Sequence, residues 1–119
     1  MVLSQMRRID FVKLDVQGSE VRAITGMSEI LRRFPHVRIL TEFSPFHLTQ
    51  CGAQVSDLCD LLLGRQLFLL RGDGQVENVS PDDLIRIAET EFRPRGHADV
   101  LAVAPGDSQA ISAATALMT

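Results

Sequence analysis

The first half of the chain alternates between short apolar runs and stretches with a helical period. Residues 9–15 are apolar on both faces of an extended chain, which is typical of a strand covered on both sides. From Ser19 the apolar positions recur at helical spacing, and this predicts a helix that ends at Pro35. Gly26 lies inside the helical pattern and predicts a kink or a short break. Residues 37–43 are rich in β-branched and apolar side chains and predict a second strand.

The second half continues this alternation with shorter elements. Ser56 is placed to cap a helix that runs to Leu63 and stops at Gly64. Ser80-Pro81, followed by two Asp residues, predicts another helix start. The Asp-Gly dipeptide within residues 72–74 predicts a hairpin turn. Further strands are predicted at residues 67–70, 75–79 and 99–104, and the tail from Asp107 is predicted to be frayed or weakly helical.

The order of these elements predicts an α/β fold. Strands alternate with helices along the chain, and this alternation favours a mainly parallel sheet with helices packed on it. The 119 residues leave room for one domain, and no internal repeat or linker is visible in the sequence.

Composition and charge argue against several classes of function. The net charge is −3, and the basic residues lie in small mixed groups instead of one basic face, so nucleic-acid binding is poorly supported. No apolar run approaches the roughly 20 residues of a membrane span. Cys51 and Cys59 have the spacing of neither a zinc site nor a disulfide framework, which predicts reduced core thiols. We therefore expect a soluble, cytoplasmic protein with no nucleic-acid or membrane partner.

Three residues are candidates for chemistry because they lie at or just beyond the ends of predicted strands. Asp15 ends the first strand, where a carboxylate of an open α/β sheet is placed to orient a substrate hydroxyl, a metal ion or a cofactor. Alternatively, it accepts backbone N–H groups from the following turn. Glu42 opens onto the same edge if the two strands are parallel neighbours; otherwise it is a solvated or arginine-paired acid. His47 is either a general base beside this edge or a surface side chain.

The stretch around Asp15 also carries a family resemblance. Residues 9–20 read Ile-Asp-Phe-Val-Lys-Leu-Asp-Val-Gln-Gly-Ser-Glu. This resembles the DxxKxDxEGxE signature of FkbM-type methyltransferases, and later segments follow in the order of that family as far as residue 104. The resemblance implies an S-adenosylmethionine-dependent enzyme, usually an O-methyltransferase, with Asp15 also close to the methyl donor.

The resemblance further implies a part of a Rossmann-like methyltransferase sheet. Residues 1–106 would hold its last four strands, mostly parallel, with flanking helices, and residues 107–119 would form a flexible tail. The family's glycine-rich loop and acidic cofactor residue would precede the matched part, so binding of S-adenosylmethionine by this chain alone is not expected. The glycines at 72 and 74 belong to the predicted hairpin turn and do not replace that loop. Gln17 stands where the family commonly has Glu, and an amide cannot titrate.

Two functions of different classes are compatible with these features. The first is a methyltransferase whose cofactor half comes from another polypeptide or an upstream segment, acting on a small-molecule or sugar hydroxyl. The second is a non-catalytic truncated or degenerate relative that serves as an oligomerisation or interaction module. In either case the first strand would lie at a sheet edge, where we expect a second copy or a complementing chain to pair with it.

Overall fold

The computed structural model describes residues 11–14, 21–50, 52–93 and 95–118. Helices and strands account for most of these residues. In chain order the elements are β1 Phe11–Leu14, α1 Val21–Arg33, β2 Arg38–Phe43, α2 Pro45–Gln50, α3 Val55–Leu61, β3 Gln66–Leu70, β4 Val76–Val79, α4 Pro81–Glu89, β5 Ala98–Val103 and α5 Ser108–Ala116.

The described strands form one five-stranded sheet in the order β1-β2-β5-β3-β4. The α/β class is therefore confirmed, but the expected mostly parallel sheet of four strands is wrong. Among the described strands only β1 and β2 are parallel neighbours, whereas β2–β5, β5–β3 and β3–β4 are antiparallel. The reason is that β5 returns between β2 and β3 and runs opposite to both, while β3 and β4 form a hairpin. As a result β1, β2 and β3 still run in one direction.

The sheet is covered on both faces, as its apolar strands require. Alternate residues of β3 point to opposite sides, so Leu67 and Leu69 belong to the larger core and Phe68 to a smaller one. The larger core includes buried side chains of α3 and α4, and Leu31 of α1 packs against it. The smaller core is covered by the small residues Ala110 and Ala114 of α5.

Helix boundaries agree with the sequence signals at some places and differ at others. Pro35 follows the end of α1 as predicted, but α1 continues through Gly26 without the predicted break. The N-cap of α3 is Gln54 and not Ser56, because Gln54 and Asp57 form a reciprocal capping box. The capping role of Ser80 is confirmed.

The hairpin and the tail complete the fold. Gly74 has φ +89°, and its N–H donates to the carbonyl oxygen of Arg71 at 3.0 Å, so the glycines at 72 and 74 lie in a β-turn. The tail contains α5, whose N-cap Asp107 accepts two hydrogen bonds from Arg38 at 2.7 and 2.9 Å. The flexibility of the tail stays a prediction.

In the described part of the chain, no helix is long and apolar enough to cross a membrane.

Candidate functional site

The candidate site begins at the carboxyl end of β2, near the middle of the sheet. This strand alternates strictly, so that Ile39, Thr41 and Phe43 are buried while the residues between them are half-buried. Glu42 is one of the half-buried residues and points away from the side on which Phe43 packs. The alternation therefore places a carboxylate near the strand end without burying it in the core.

The chain turns directly from β2 into α2 at Ser44-Pro45. The carbonyl oxygen of Ser44 accepts a hydrogen bond from the N–H of Leu48 at 3.0 Å, and Leu48 is buried. Ser44 thus occupies the N-cap position of α2, with Pro45 at the first helical position, where a missing N–H costs nothing. Ser44 itself is only 1% exposed. A short helix is in this way fixed to the core at the end of the strand.

Ser44, His47 and Glu42 form a cluster around one nitrogen atom. The Oγ of Ser44 lies 2.9 Å from Nδ1 of His47. The Oε1 of Glu42 lies 3.7 Å from the same Nδ1. The side chains of His47 and Glu42 are 32% and 21% exposed, so the cluster is partly shielded from water and open on one side.

This cluster does not have the arrangement of a serine hydrolase. A nucleophilic serine needs to contact one imidazole nitrogen while the acid contacts the other. Here the hydroxyl and the carboxylate both face Nδ1, and the hydroxyl is buried. Ser44 therefore positions the imidazole and does not act as a nucleophile. Nε2 is the ring nitrogen of His47 that neither of these two groups faces.

One aromatic ring contacts the cluster, and a second aromatic pair lies at the same end of β2. The ring of Phe46 makes an edge contact with the imidazole of His47, with centroids 5.7 Å apart. The guanidinium of Arg95 lies 4.7 Å from the centroid of the Phe46 ring. Phe43 packs against Phe92 at a centroid distance of 5.7 Å. These contacts join the end of β2 to the segment that follows α4.

The structure brings two of the three predicted site residues together. Glu42 and His47 are neighbours in the cluster. Asp15 lies outside the described residues, but the parallel pairing on which its role depends is present. Leu14 pairs with Thr41, and these residues directly precede Asp15 and Glu42. A shared edge for the two carboxylates stays a prediction.

Sequence reasoning missed α2 and the role of Ser44. The signal was available, because Ser44-Pro45 has the same N-cap pattern as Ser80-Pro81. The sequence analysis ends the second strand at residue 43 and predicts no helix directly after it. The contact between Ser44 and His47 follows directly from the helix, since these residues occupy its N-cap and third helical position.

In open α/β sheets ligands bind beyond the carboxyl ends of strands, and the acid, the imidazole and the hydroxyl of this α/β domain lie at such a strand end. The chain matches the model of the methyltransferase FkbM domain over residues 2–70, more than half of its 119 residues. It therefore belongs to the FkbM methyltransferase domain family. Comparison with curated proteins and with solved structures finds no match.

The family implies S-adenosylmethionine. Rossmann-type sheets hold a nucleotide-bearing cofactor at a glycine-rich turn that leads from a strand into a helix. The turn around Gly74 instead closes the β3–β4 hairpin and leads into a strand. The described residues also contain no group of three His, Cys, Asp or Glu side chains arranged to hold a metal ion.

Proposed function

We propose that this chain supplies the acceptor side of an S-adenosylmethionine-dependent O-methyltransferase. In this proposal His47 takes the proton of the acceptor hydroxyl, Glu42 stabilises the resulting imidazolium and Ser44 holds the ring in place. The observation that carries the proposal is the placement of Ser44 Oγ and Glu42 Oε1 on the same nitrogen of His47, at 2.9 and 3.7 Å. Membership of the FkbM family supports methyl transfer as the reaction.

The proposed roles depend on which nitrogen of His47 carries the proton. A carboxylate beside Nδ1 favours the tautomer with the proton on Nδ1, because the N–H dipole then points to the negative charge. Nδ1–H donates to Ser44 Oγ in that tautomer, and Nε2 keeps its lone pair. The imidazole is then prepared to accept a proton on the side away from Glu42.

In the proposed step a proton moves from the acceptor hydroxyl to His47. The acceptor O–H bond breaks as its proton moves to Nε2 of His47, and the electron pair stays on the acceptor oxygen. A general base of this kind typically contributes about 100- to 10,000-fold to a rate. S-adenosylmethionine, when bound, supplies an electrophilic methyl group for that oxygen. The remaining contribution of the protein is to hold the acceptor in position.

Asp15 has a separate place in the proposal. It directly follows Leu14, which pairs with Thr41, so its carboxylate would lie at the same edge of the sheet as Glu42. There it would contact the methyl donor or the acceptor. The resemblance of residues 9–20 to the family signature supports this placement.

The test uses S-adenosylmethionine that carries a labelled methyl group. The chain is expressed with an affinity tag in the organism that encodes it. It is then purified together with any polypeptide that is bound to it or covalently continuous with it. Transfer of label to small molecules from a cell extract is then compared for the wild type, His47→Gln and Glu42→Gln. We expect His47→Gln to lower the transfer rate roughly 100-fold and Glu42→Gln roughly tenfold.

A matched control is Glu77→Gln, which changes a half-buried glutamate on β4 that pairs with Arg71 at 2.9 Å. This change should leave transfer near the wild-type rate. Circular dichroism must show that all variants fold. Wild-type transfer rates in both His47→Gln and Glu42→Gln would contradict the proposal.

A second candidate function rests on β1. Among the described strands β1 pairs with β2 alone, so its other edge presents backbone donors and acceptors. Phe11 on this strand is 53% exposed. An edge strand with an exposed phenylalanine favours pairing with another strand. We infer that a second copy of the chain pairs there in antiparallel orientation about a twofold axis.

Light scattering after size-exclusion chromatography tests this association. We expect the mass to rise from monomer to dimer with increasing protein concentration. Phe11→Lys should shift that transition to higher concentration by at least about tenfold, because a charge on an edge strand opposes pairing. Leu63→Lys is the control, since Leu63 is 75% exposed after α3 and should have no effect. A concentration-independent monomer would contradict the inference.

A further inference from the structure

A cleft lies next to the His47 cluster, between α2 and the end of α4. Its volume is about 530 Å³, which is within the usual range for small-molecule sites. One wall is formed by α2, and the other by the last turn of α4 and the segment after it. The lining residues are Pro45, Phe46, Thr49, Gln50, Ala88, Glu89, Phe92 and Arg93.

The cleft has an apolar floor and a polar rim. Phe46 and Phe92 supply aromatic surface, and Phe92 is 7% exposed. The side chains of Thr49, Gln50 and Arg93 are exposed and lie around the opening. The guanidinium of Arg95 adds a cation to the same aromatic group, 4.7 Å from the Phe46 ring centroid.

Phe46 connects the cleft to the cluster. It lines the cleft, and its ring also contacts the imidazole of the next residue, His47. His47 is not itself among the lining residues, so Phe46 is the contact through which a ring bound in the cleft would come near the candidate base.

A larger cleft of about 720 Å³ lies at the opposite end of β2 and is less suited to a ligand. Its main cation, Arg38, is engaged by the carboxylate of Asp107, which also caps α5. The hydrogen bonds from Arg38 hold the pKa of Asp107 below its usual value, so this pair is charged at neutral pH. The pair fixes the tail helix to the sheet.

We propose that the cleft between α2 and α4 binds the aromatic ring of a phenolic acceptor and presents its hydroxyl to His47. This inference rests on the proposed function and narrows its acceptor class. The family match ends at residue 70, so the α4 wall of the cleft lies beyond the matched residues. The ligand preference is therefore a property of this chain's own side chains.

Two physical arguments favour a phenol over a sugar or an aliphatic alcohol. First, an aromatic ring gains both apolar burial and ring–ring contact with Phe46 and Phe92, whereas a sugar would leave hydroxyls facing an apolar floor. Second, a phenol is far more acidic than an aliphatic alcohol, so a neutral imidazole suffices to take its proton. The electron pair left on oxygen is shared with the ring, which stabilises the phenolate.

The chain itself makes this inference easy to test, because it contains no Trp and no Tyr. Binding of 2-naphthol is followed by its own fluorescence without a protein background and without S-adenosylmethionine. We expect saturable binding, displacement by phenol and no displacement by methyl glucoside or cyclohexanol at the same concentration. Displacement by methyl glucoside as effective as that by phenol would overturn the proposal.

Variants locate the bound ring. Phe46→Ala should weaken 2-naphthol binding about tenfold, since it removes one aromatic wall. Phe34→Ala is the matched control, because Phe34 is half-buried like Phe46, has the Arg33 guanidinium 5.8 Å from its ring centroid, and precedes β2 at the end away from the cleft. Equal loss in both variants, or no loss in Phe46→Ala, would overturn the placement of the ring.

Proton NMR tests whether the hydroxyl faces His47. The chain has three histidines, and His47→Gln assigns the signal of His47. We expect 2-naphthol to shift this signal more than 2-methoxynaphthalene does, and to leave the signals of His36 and His97 unchanged. An equal shift with both ligands, or a shift of another histidine, would contradict the inference. Binding with these shifts but without methyl transfer would separate failure of the proposed function from failure of the cleft assignment.

Discussion

Two helices of this chain begin with the same two residues, Ser-Pro, and use them differently. At α4 the Oγ of Ser80 accepts the N–H of Asp83 at 3.1 Å, and the carboxylate of Asp83 accepts the N–H of Ser80 at 2.9 Å. Both partners are at the protein surface, and each satisfies a backbone donor of the other. This capping box has a purely local role, which is to start the helix.

At α2 the third helical residue is an imidazole where α4 has a carboxylate. The N–H of His47 is 3.5 Å from Ser44 Oγ, a long contact, whereas Nδ1 of the His47 ring is 2.9 Å from it. Ser44 is buried, and the acid of the group, Glu42, comes from the strand before the helix. The cap oxygen is thus engaged mainly with a titratable ring.

The difference shows which position decides the role of a Ser-Pro helix start. With Asp at the third position, the side chain closes a reciprocal pair with the backbone. With His there, the serine hydroxyl lies closer to the side chain of that residue than to its backbone N–H. The residue three positions after the serine therefore distinguishes a structural cap from a candidate site.

The largest expected effect on stability comes from truncating the residue that precedes each of the two serines. Phe43 is fully buried and packs against Phe92, so Phe43→Ala should lower the free energy of unfolding by about 3–5 kcal/mol. Val79 precedes Ser80 and loses less volume on truncation, so Val79→Ala should cost about 2 kcal/mol. Urea unfolding followed by circular dichroism measures both. Equal costs would mean that α2 is no more dependent on the core than α4.

The sequence predicted those features of the fold that are determined by residues adjacent along the chain. The start of α4 was predicted because its cap, proline and acids are adjacent in sequence. The prediction of a mostly parallel sheet was wrong for β5, since its direction depends on β5 entering between β2 and β3, which are far from it along the chain. Alternation of strands and helices does not determine that insertion.

The same distinction applies to the candidate site. Glu42 and His47 were predicted from their positions near the end of a strand. The burial of Ser44 was not predicted, because a serine beside a proline is usually part of an exposed turn. Its burial arises from the packing of Phe43 and Leu48 on either side of it along the chain.

Removal of the two cap hydroxyls gives the next largest effect. Ser44→Ala should lower the free energy of unfolding by about 2 kcal/mol, since it removes a cap and leaves a partly buried imidazole N–H without its nearest acceptor. Ser80→Ala should cost about 1 kcal/mol, because water replaces the lost bonds at the surface. Thermal and urea unfolding measure both, with Ser56→Ala as a control that caps no helix. If Ser80→Ala lowered the free energy of unfolding more than Ser44→Ala does, the surface cap of α4 would be the more stabilising of the two.

A smaller effect separates the stability of α2 from its chemistry. Gln is a preferred third residue of a capping box, so His47→Gln should raise the free energy of unfolding by about 0.5 kcal/mol while removing the base. Unfolding curves recorded on the proteins used for the transfer assay provide the comparison. A loss above about 1 kcal/mol would show that the bond between the imidazole and Ser44 stabilises the fold in its own right.

The smallest effect is the acid dependence of the α4 capping box. Hydrogen bonds from the backbone N–H and the hydroxyl of Ser80 hold the pKa of Asp83 below its usual value. Because the folded pKa is lowered, the stabilisation is present above the pKa of an unfolded Asp, about 3.9, and is lost as the pH falls through the lower folded value. The difference in unfolding free energy between the wild type and Asp83→Asn should therefore be largest near about pH 6 and shrink towards about pH 2.

Asp83→Glu keeps a carboxylate at the third position and should retain the wild-type acid dependence. A difference that stays constant with pH would show that the Asp83 carboxylate contributes through its shape alone, as an amide would, and that charge does not distinguish the start of α4 from that of α2.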